Sequence, residues 1–318
     1  MIDKMNENKK ELLEISKDIR DTLQIRRNEL ELSFIEDTHT YYMRNTLNEI
    51  KSDFPSVSTV IKQFYEEFPA LEKSLSMCNG DIFEQDKLLT QWRGTSEYAN
   101  SKGSRTHYLL EADLLKMYGS YKEVRQPIFE CDDDQIKESN AMIDAGHKFI
   151  QLMHRRGAVL LDTEIVLGSP ELGYTGQPDK VWLMKNEKGE LGIVITDWKT
   201  NKAKNFEVQP YTVPMLYPFD DYMDTALTHY MIQLPLYGRL LLDMLKTTKY
   251  ENIKLFGCVI VHLLDTAKHV EYRVPKSFIN TVLTMDPLMR IDEVKKNKKE
   301  NERKEKERIL MLEEARKK

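Results

Sequence analysis

The chain has 318 residues, long enough to bury one large core, and its 41% hydrophobic content places it among ordinary globular proteins. It has no run of about 18 apolar residues, which excludes a membrane-spanning helix. Its three isolated cysteines, Cys78, Cys131 and Cys258, fit reduced thiols in a cytosol-like compartment and are too few for a four-cysteine iron–sulfur cluster. The net charge of −5, from 52 acidic and 47 basic side chains, neither requires nor forbids a nucleic-acid partner, because phosphate contacts depend on local positive charge.

Residues 1–7 carry acids and lack an apolar signal core, so no secretory or transit peptide is expected. Residues 1–33 read as a charged helix, with Leu12, Leu13, Ile15, Ile19, Leu23, Ile25 and Leu30 at loosely helical spacing. A short hairpin over 34–43, turning at Asp37-Thr38, follows. Pro55-Ser56-Val57-Ser58-Thr59 then punctuates the chain, with Ser56 or Ser58 as a helix N-cap. Residues 57–68, 84–119 and 134–156 are expected to be mainly helical.

From Ala158 the pattern turns to strands, over 158–167, 176–184 and 191–197. The loop 205–226 is rich in proline and aromatics: Pro210, Tyr211, Pro214, Tyr217, Pro218, Phe219, Tyr222. It suits either base stacking on a single strand or an aromatic cluster buried beneath the loop. A helix over 227–245, strands over 253–263 and 269–274 and a short helix complete the core. The last 24 residues hold 11 Lys/Arg and 6 Glu, with Ile309-Leu310-Met311-Leu312 as the only large apolar residues. That tail reads as a solvated helix or a disordered segment. The expected organisation is an N-terminal extension over 1–53, a catalytic domain over 54–290 and a charged tail over 291–318. The expected fold is α/β, a central mixed sheet of four or five strands flanked by helices.

The most informative residues lie in Gly176-Gln177-Pro178-Asp179-Lys180-Val181-Trp182 and in Thr196-Asp197-Trp198-Lys199-Thr200. Between them Asn186-Glu187-Lys188-Gly189 marks a turn separating two apolar runs, so a hairpin brings Asp179 and Asp197 side by side near one sheet edge. Asp197 and Lys199 share a strand face while Trp198 points away. Two carboxylates and an ammonium converging on one spot suit Mg²⁺ binding and activation of a water.

The Pro-Asp followed by Asp-x-Lys resembles the PD-(D/E)XK nuclease superfamily. Gly103-Ser104-Arg105-Thr106-His107 upstream is similar to the Gly-x-x-x-His helix motif of the RecB-like exonuclease branch. Gln233-Leu234-Pro235-Leu236-Tyr237 downstream is similar to its Gln-x-x-x-Tyr motif. The four motifs occur in the family order, and the resemblance covers roughly residues 54–275. The opening hairpin and Pro-Ser-Val-Ser-Thr segment are similar to phage-encoded members, and the mitochondrial genome maintenance exonucleases are similar too.

The resemblance implies a restriction-endonuclease-like core, with Asp179 and Asp197 as metal ligands and Lys199 orienting the attacking water. It implies that His107 ligates or organises the metal. It places Glu164 on the first core strand near the site, with Asp162 as a competitor, and lets Glu111, one turn after His107, either reach the metal or remain an ordinary helix acid. Gln233 and Tyr237, one turn apart, would contact the site or the DNA strand. The implied activity is Mg²⁺-dependent hydrolysis of DNA, with Mn²⁺ as a substitute, leaving a 5′-phosphate. The implied substrate is single-stranded or duplex DNA ends, in phage or bacterial recombination, repair or replication, in the cytoplasm and with a replication or recombination protein as a further partner. The alternative is a catalytically inactive, structural DNA-binding subunit; loss of Lys199 or either aspartate would mark it, and all three are present.

Overall fold

The computed structural model describes residues 2–119 and 130–317. A five-stranded sheet runs in the order β10-β9-β8-β7-β4, built from β4 (Val159–Thr163), β7 (Lys180–Lys185), β8 (Leu191–Lys199), β9 (Lys254–Leu263) and β10 (His269–Arg273). It is mixed: β8 and β9 are parallel, and every other pair is antiparallel. The parallel pair needs a crossover, supplied by α6 (Ala226–Leu245), whose N-cap Thr225 accepts from the Thr228 N–H.

Both faces of the sheet are covered, so its strands read as near-continuous apolar runs rather than alternating ones. Val181, Leu183, Ile193, Ile195 and Ile260 face a core shared with α6 and with α1 (Ile2–Glu29), α2 (Val57–Ile61) and α7 (Lys276–Thr284). Trp182, Val194, Trp198, Val259 and Val261 face the opposite core, closed by α4 (Ile82–Met117) and α5 (Asp133–Arg155). The second layer starts cleanly because Asp132 and Gln135 form a reciprocal capping box at the head of α5.

Leu12, Ile19 and Leu23 of α1 lie in the same core as the sheet. From that helix Ser16 Oγ donates to the Leu160 carbonyl and Arg20 Nη1 to the Leu161 carbonyl, both at 2.9 Å. On the other side the Tyr118 hydroxyl accepts the Leu160 N–H at 3.0 Å. These side chains satisfy both outward backbone groups of Leu160 and the Leu161 carbonyl on the edge strand β4.

Several elements differ from the sequence expectation for identifiable reasons. The strand expected over 158–167 ends at Thr163: a register shift between Leu160 and Asp162 and a positive φ of 44° at Glu164 break it, and β5 (Leu167–Ser169) pairs instead with β6 (Tyr174–Gly176). The strand expected over 176–184 is divided by Gln177-Pro178-Asp179, since proline cannot donate to the ladder. The helix expected over 57–68 stops as a 3₁₀ turn at 62–64, and α3 (Ala70–Met77) follows. Pro235 lies buried inside α6, as a helix over 227–245 requires. The N-terminal hairpin, β1 (Ser33–Ile35) with β2 (Thr40–Arg44), gains a third strand, β3 (Ile50–Lys51).

The loop after β8 divides between the two readings left open. Phe206, Met215 and Phe219 are buried, whereas Tyr211 and Tyr217 are 82% and 69% exposed. The charged tail is neither free nor disordered where described. It forms α8 (Ile291–Arg316), docked by Leu312 and by Arg308, whose Nη1 lies 2.9 Å from Asp86 of α4.

Candidate metal centre

β7 and β8 pair with Lys180 opposite Thr196, so Asp179, immediately before β7, comes to the end of β8 that carries Asp197. Asp179 Oδ2 accepts the Trp198 backbone N–H at 3.0 Å. Strand alternation then does what the sequence implies. Asp197 and Lys199 project to one face with Lys199 Nζ 2.5 Å from Asp197 Oδ2, while Trp198 packs into the opposite core.

Glu164 joins them through the strand break. Its N–H donates to the Asp179 carbonyl at 3.1 Å and its own carbonyl accepts from Gln177 Nε2 at 3.1 Å. These two bonds hold a non-glycine residue in the left-handed region, a conformation that costs on the order of 1 kcal/mol or more and recurs at functional sites. Asp162 lies instead beside Arg27 of α1, whose guanidinium feels its charge. Of the two competing acids, Glu164 is therefore the one at the site.

The fourth group comes from the other helical layer. Gly103 of α4 meets Thr200 so closely that a Cβ would stand 3.0 Å from Thr200 Oγ1. That bare approach lets α4 cross the end of β8, and one turn later His107 Nδ1 reaches 3.2 Å from Asp179 Oδ2. One ligand atom each from His107, Glu164 and Asp179 lies within 4.8 Å of the others. Glu111, a further turn along, lines the same cleft and accepts from Thr163 Oγ1 at 3.0 Å.

The electrostatics are those of crowded carboxylates in a desolvated corner. Burial works to raise Asp179, but His107, Lys180, Lys199 and the Trp198 N–H outweigh it and bring the carboxyl down to about 2. Burial and the charge of Asp179 push Asp197 up to about 7 against the pull of Lys199. Glu164 is also raised, by burial first and by Asp179 second. Burial works to lower Lys199, yet Asp197 beside it dominates and holds the ammonium protonated. The His107 ring is 31% exposed to the cleft but otherwise packed, and desolvation pushes it down to about 4, leaving a neutral imidazole at neutral pH. Carboxylates that resist sharing their charge, with a neutral imidazole beside them, form a donor set that fits a hard divalent cation such as Mg²⁺ or Mn²⁺.

Gln233 and Tyr237 lie on one face of α6, and Gln233 Nε2 donates to the Tyr237 hydroxyl at 2.9 Å. The Tyr237 ring is buried against Gly176, where a Cβ would stand 2.7 Å from its Cε1. Burial raises the phenol, and the charges of Asp197 and Asp179 act on it in the same direction.

A cleft of about 840 Å³ opens onto the group, lined by His107, Glu111, Glu164 and Lys199. Sequence reasoning missed several of its features. Glu36 and His39, from the turn between β1 and β2, form part of its wall. Tyr230 of α6 lies beneath the lysine; the similarity to phage-encoded members extends to Pro218-Phe219 and His229-Tyr230 but gives Tyr230 no role at the lysine. Lys180 is 1% exposed, with its ammonium 4.5 Å from the Trp198 ring centroid and 3.9 Å from Asp179; charged residues this deep are rare without a partner. No protein-family model matches the chain, and no curated protein matches it significantly.

Proposed function

We propose that the protein is a divalent-metal-dependent deoxyribonuclease with a restriction-endonuclease-like core, of the PD-(D/E)XK type and its RecB-like exonuclease branch. One observation carries the reading. Residues of three of the four motifs, His107, Asp179 and the Asp197-x-Lys199 pair, meet at one end of a mixed sheet, with His107 and Lys199 lining one cleft, and the buried Tyr237 of the fourth feels the charges of Asp197 and Asp179. Chance matches to short motifs have no reason to meet in space.

His107, Glu164, Asp179 and Asp197 would hold Mg²⁺ or Mn²⁺, which when bound supplies Lewis acidity toward a phosphate and a water. The chain's own groups do the rest. Lys199, protonated and fixed beside Asp197, donates to a phosphate oxygen as negative charge develops. His107, neutral, leaves a ring nitrogen free of a proton to act as a ligand. Hydrolysis breaks the bond from phosphorus to the 3′ oxygen, so the released product keeps a 5′-phosphate. The partner is DNA in recombination, repair or replication in a bacterial or phage-infected cytoplasm. Among the described residues no helix is long and apolar enough to cross a membrane.

End-labelled single-stranded and duplex DNA, incubated with Mg²⁺ or with EDTA, tests the proposal. Metal-dependent release of 5′-phosphorylated products is expected. A protein that binds DNA and never cuts it, with either metal, would replace this reading with that of a structural DNA-binding subunit.

A further inference from the structure

Lys199 is held on two sides. Asp197 occupies one, and on the other the ammonium lies 4.1 Å from the centroid of the Tyr230 ring. The ring is itself tied down. Its hydroxyl donates to Asn201 Oδ1 at 3.1 Å, and the Asn201 carbonyl lies 2.7 Å from His262 Nε2. A carbonyl can only accept, so this bond requires the proton of His262 on Nε2. His262 is buried and stacks on Phe206 at 4.3 Å and 16°, and Phe206 in turn packs against Tyr230 at 5.9 Å.

A lysine has four rotatable bonds, and a single carboxylate contact leaves its ammonium free to swing about that oxygen. An aromatic face on the opposite side removes that freedom. We infer that Tyr230 is a positioning residue: its ring confines the Lys199 ammonium to the cleft side of Asp197, and Asn201 and His262 fix the ring. The face beneath the ammonium is occupied, so it is not a surface on which a base stacks. The effect on rate rests on the proposed nuclease reading, whereas the contact itself does not.

Two measurements separate these points. In protein labelled with ¹³C at the lysine ε position, without DNA or metal, the Lys199 resonance is the one absent from K199R. Ring current should shift its ε protons upfield in the wild type and in Y230F, and the shift should vanish in Y230L. In steady-state cleavage with Mg²⁺, Y230L should lose about 10- to 100-fold in kcat with KM within about threefold, since a misplacement of about 1 Å costs on that order. Y230F should recover kcat to within about threefold of wild type. Should Y230L fail to fold, Y230M serves in its place, with the upfield shift lost and the same loss in kcat. Ordinary ε-proton shifts in the wild type would overturn the inference, as would a Y230L variant that raises KM while keeping kcat. If the wild type cuts no DNA, the nuclease reading fails and the spectra alone decide whether Tyr230 holds Lys199.

Discussion

Asp179 and Trp198 are joined across the sheet end by a 3.0 Å bond from the Trp198 N–H to the Asp179 carboxylate. Asp179 lies just outside the ladder, after Pro178, with its backbone carbonyl held by the Glu164 N–H. The bond from Trp198 references its side chain to the backbone between Asp197 and Lys199. Proline thus ends the strand one residue before the carboxylate, and the neighbouring strand recaptures that carboxylate through its main chain.

Replacing Asp197 by Asn should abolish cleavage while DNA binding survives or tightens. The amide keeps the shape but loses the charge that holds the cation, and it lessens repulsion of phosphate. Nuclease assays and a binding titration on one preparation check this. Residual activity above roughly a hundredth of wild type would remove Asp197 from the ligand set, because losing a ligand costs several kcal/mol of transition-state stabilisation.

The same variant isolates a pH effect. The Asp197 carboxyl, pushed up to about 7 by burial and Asp179, contributes stability that is whole below its unfolded value and lost as pH rises through about 7. His107, pushed down to about 4 by desolvation, runs the opposite way and loses stability as pH falls below its ordinary 6.5. Comparing wild type with D197N cancels His107. In EDTA, D197N should gain on the wild type by about 2–4 kcal/mol between pH 4 and pH 8. Mg²⁺ should narrow the gap at pH 8 by stabilising only the wild type. Melting curves at fixed ionic strength measure both, and a pH-independent gap would contradict the assignment.

Gly176→Ala should displace Tyr237, because the new methyl would stand 2.7 Å from its ring and 2.8 Å from Val57 Cγ2. Overpacking of this kind costs roughly 1–3 kcal/mol. The expected result is a lower denaturant midpoint together with reduced cleavage. Unchanged stability would mean that the ring has room to move.

Cleavage should require a free DNA end, as the RecB-like resemblance implies. Covalently closed single- and double-stranded circles are the test substrates, and their rapid degradation would identify an endonuclease.

The tail should act in two separable ways. Lys295, Lys296, Lys298 and Lys299 are exposed on α8. Changing all four to Gln should leave kcat unchanged at low salt and raise the DNA concentration needed as salt increases. Arg308→Ala breaks the contact with Asp86 and should lower thermal stability instead, without altering the salt dependence. A salt effect from R308A as large as that from the lysines would merge the two roles.

The strand-borne part of the site was legible because a period of two fixes which side chains share a face and a turn cluster fixes where the chain returns. Asp179, Asp197 and Lys199 needed nothing more to be brought together, while the role proposed for them rests on the resemblance. Glu164 was named but misassigned to a strand interior, since neither the register shift at Leu160 and Asp162 nor a left-handed glutamate leaves a trace in local pattern. Tyr230, Glu36 and His39 acquire their roles only when distant segments meet. The docked tail was missed for a related reason: Arg308 and Asp86 pair across 222 residues, and a composition rich in charge looks solvated until its partner is seen.

The attention that Ser16, Arg20 and Tyr118 give to Leu160 and Leu161 has a consequence for how copies of this chain meet one another. A sheet that stops at β4 would offer its outermost backbone as a template on which another molecule's strand can continue the ladder. Hydroxyls and a guanidinium occupy those positions first, and they cannot propagate a strand. The long charged helix at the start of the chain therefore caps this edge of the sheet, its Ser16 and Arg20 taking the carbonyls that a further strand would need.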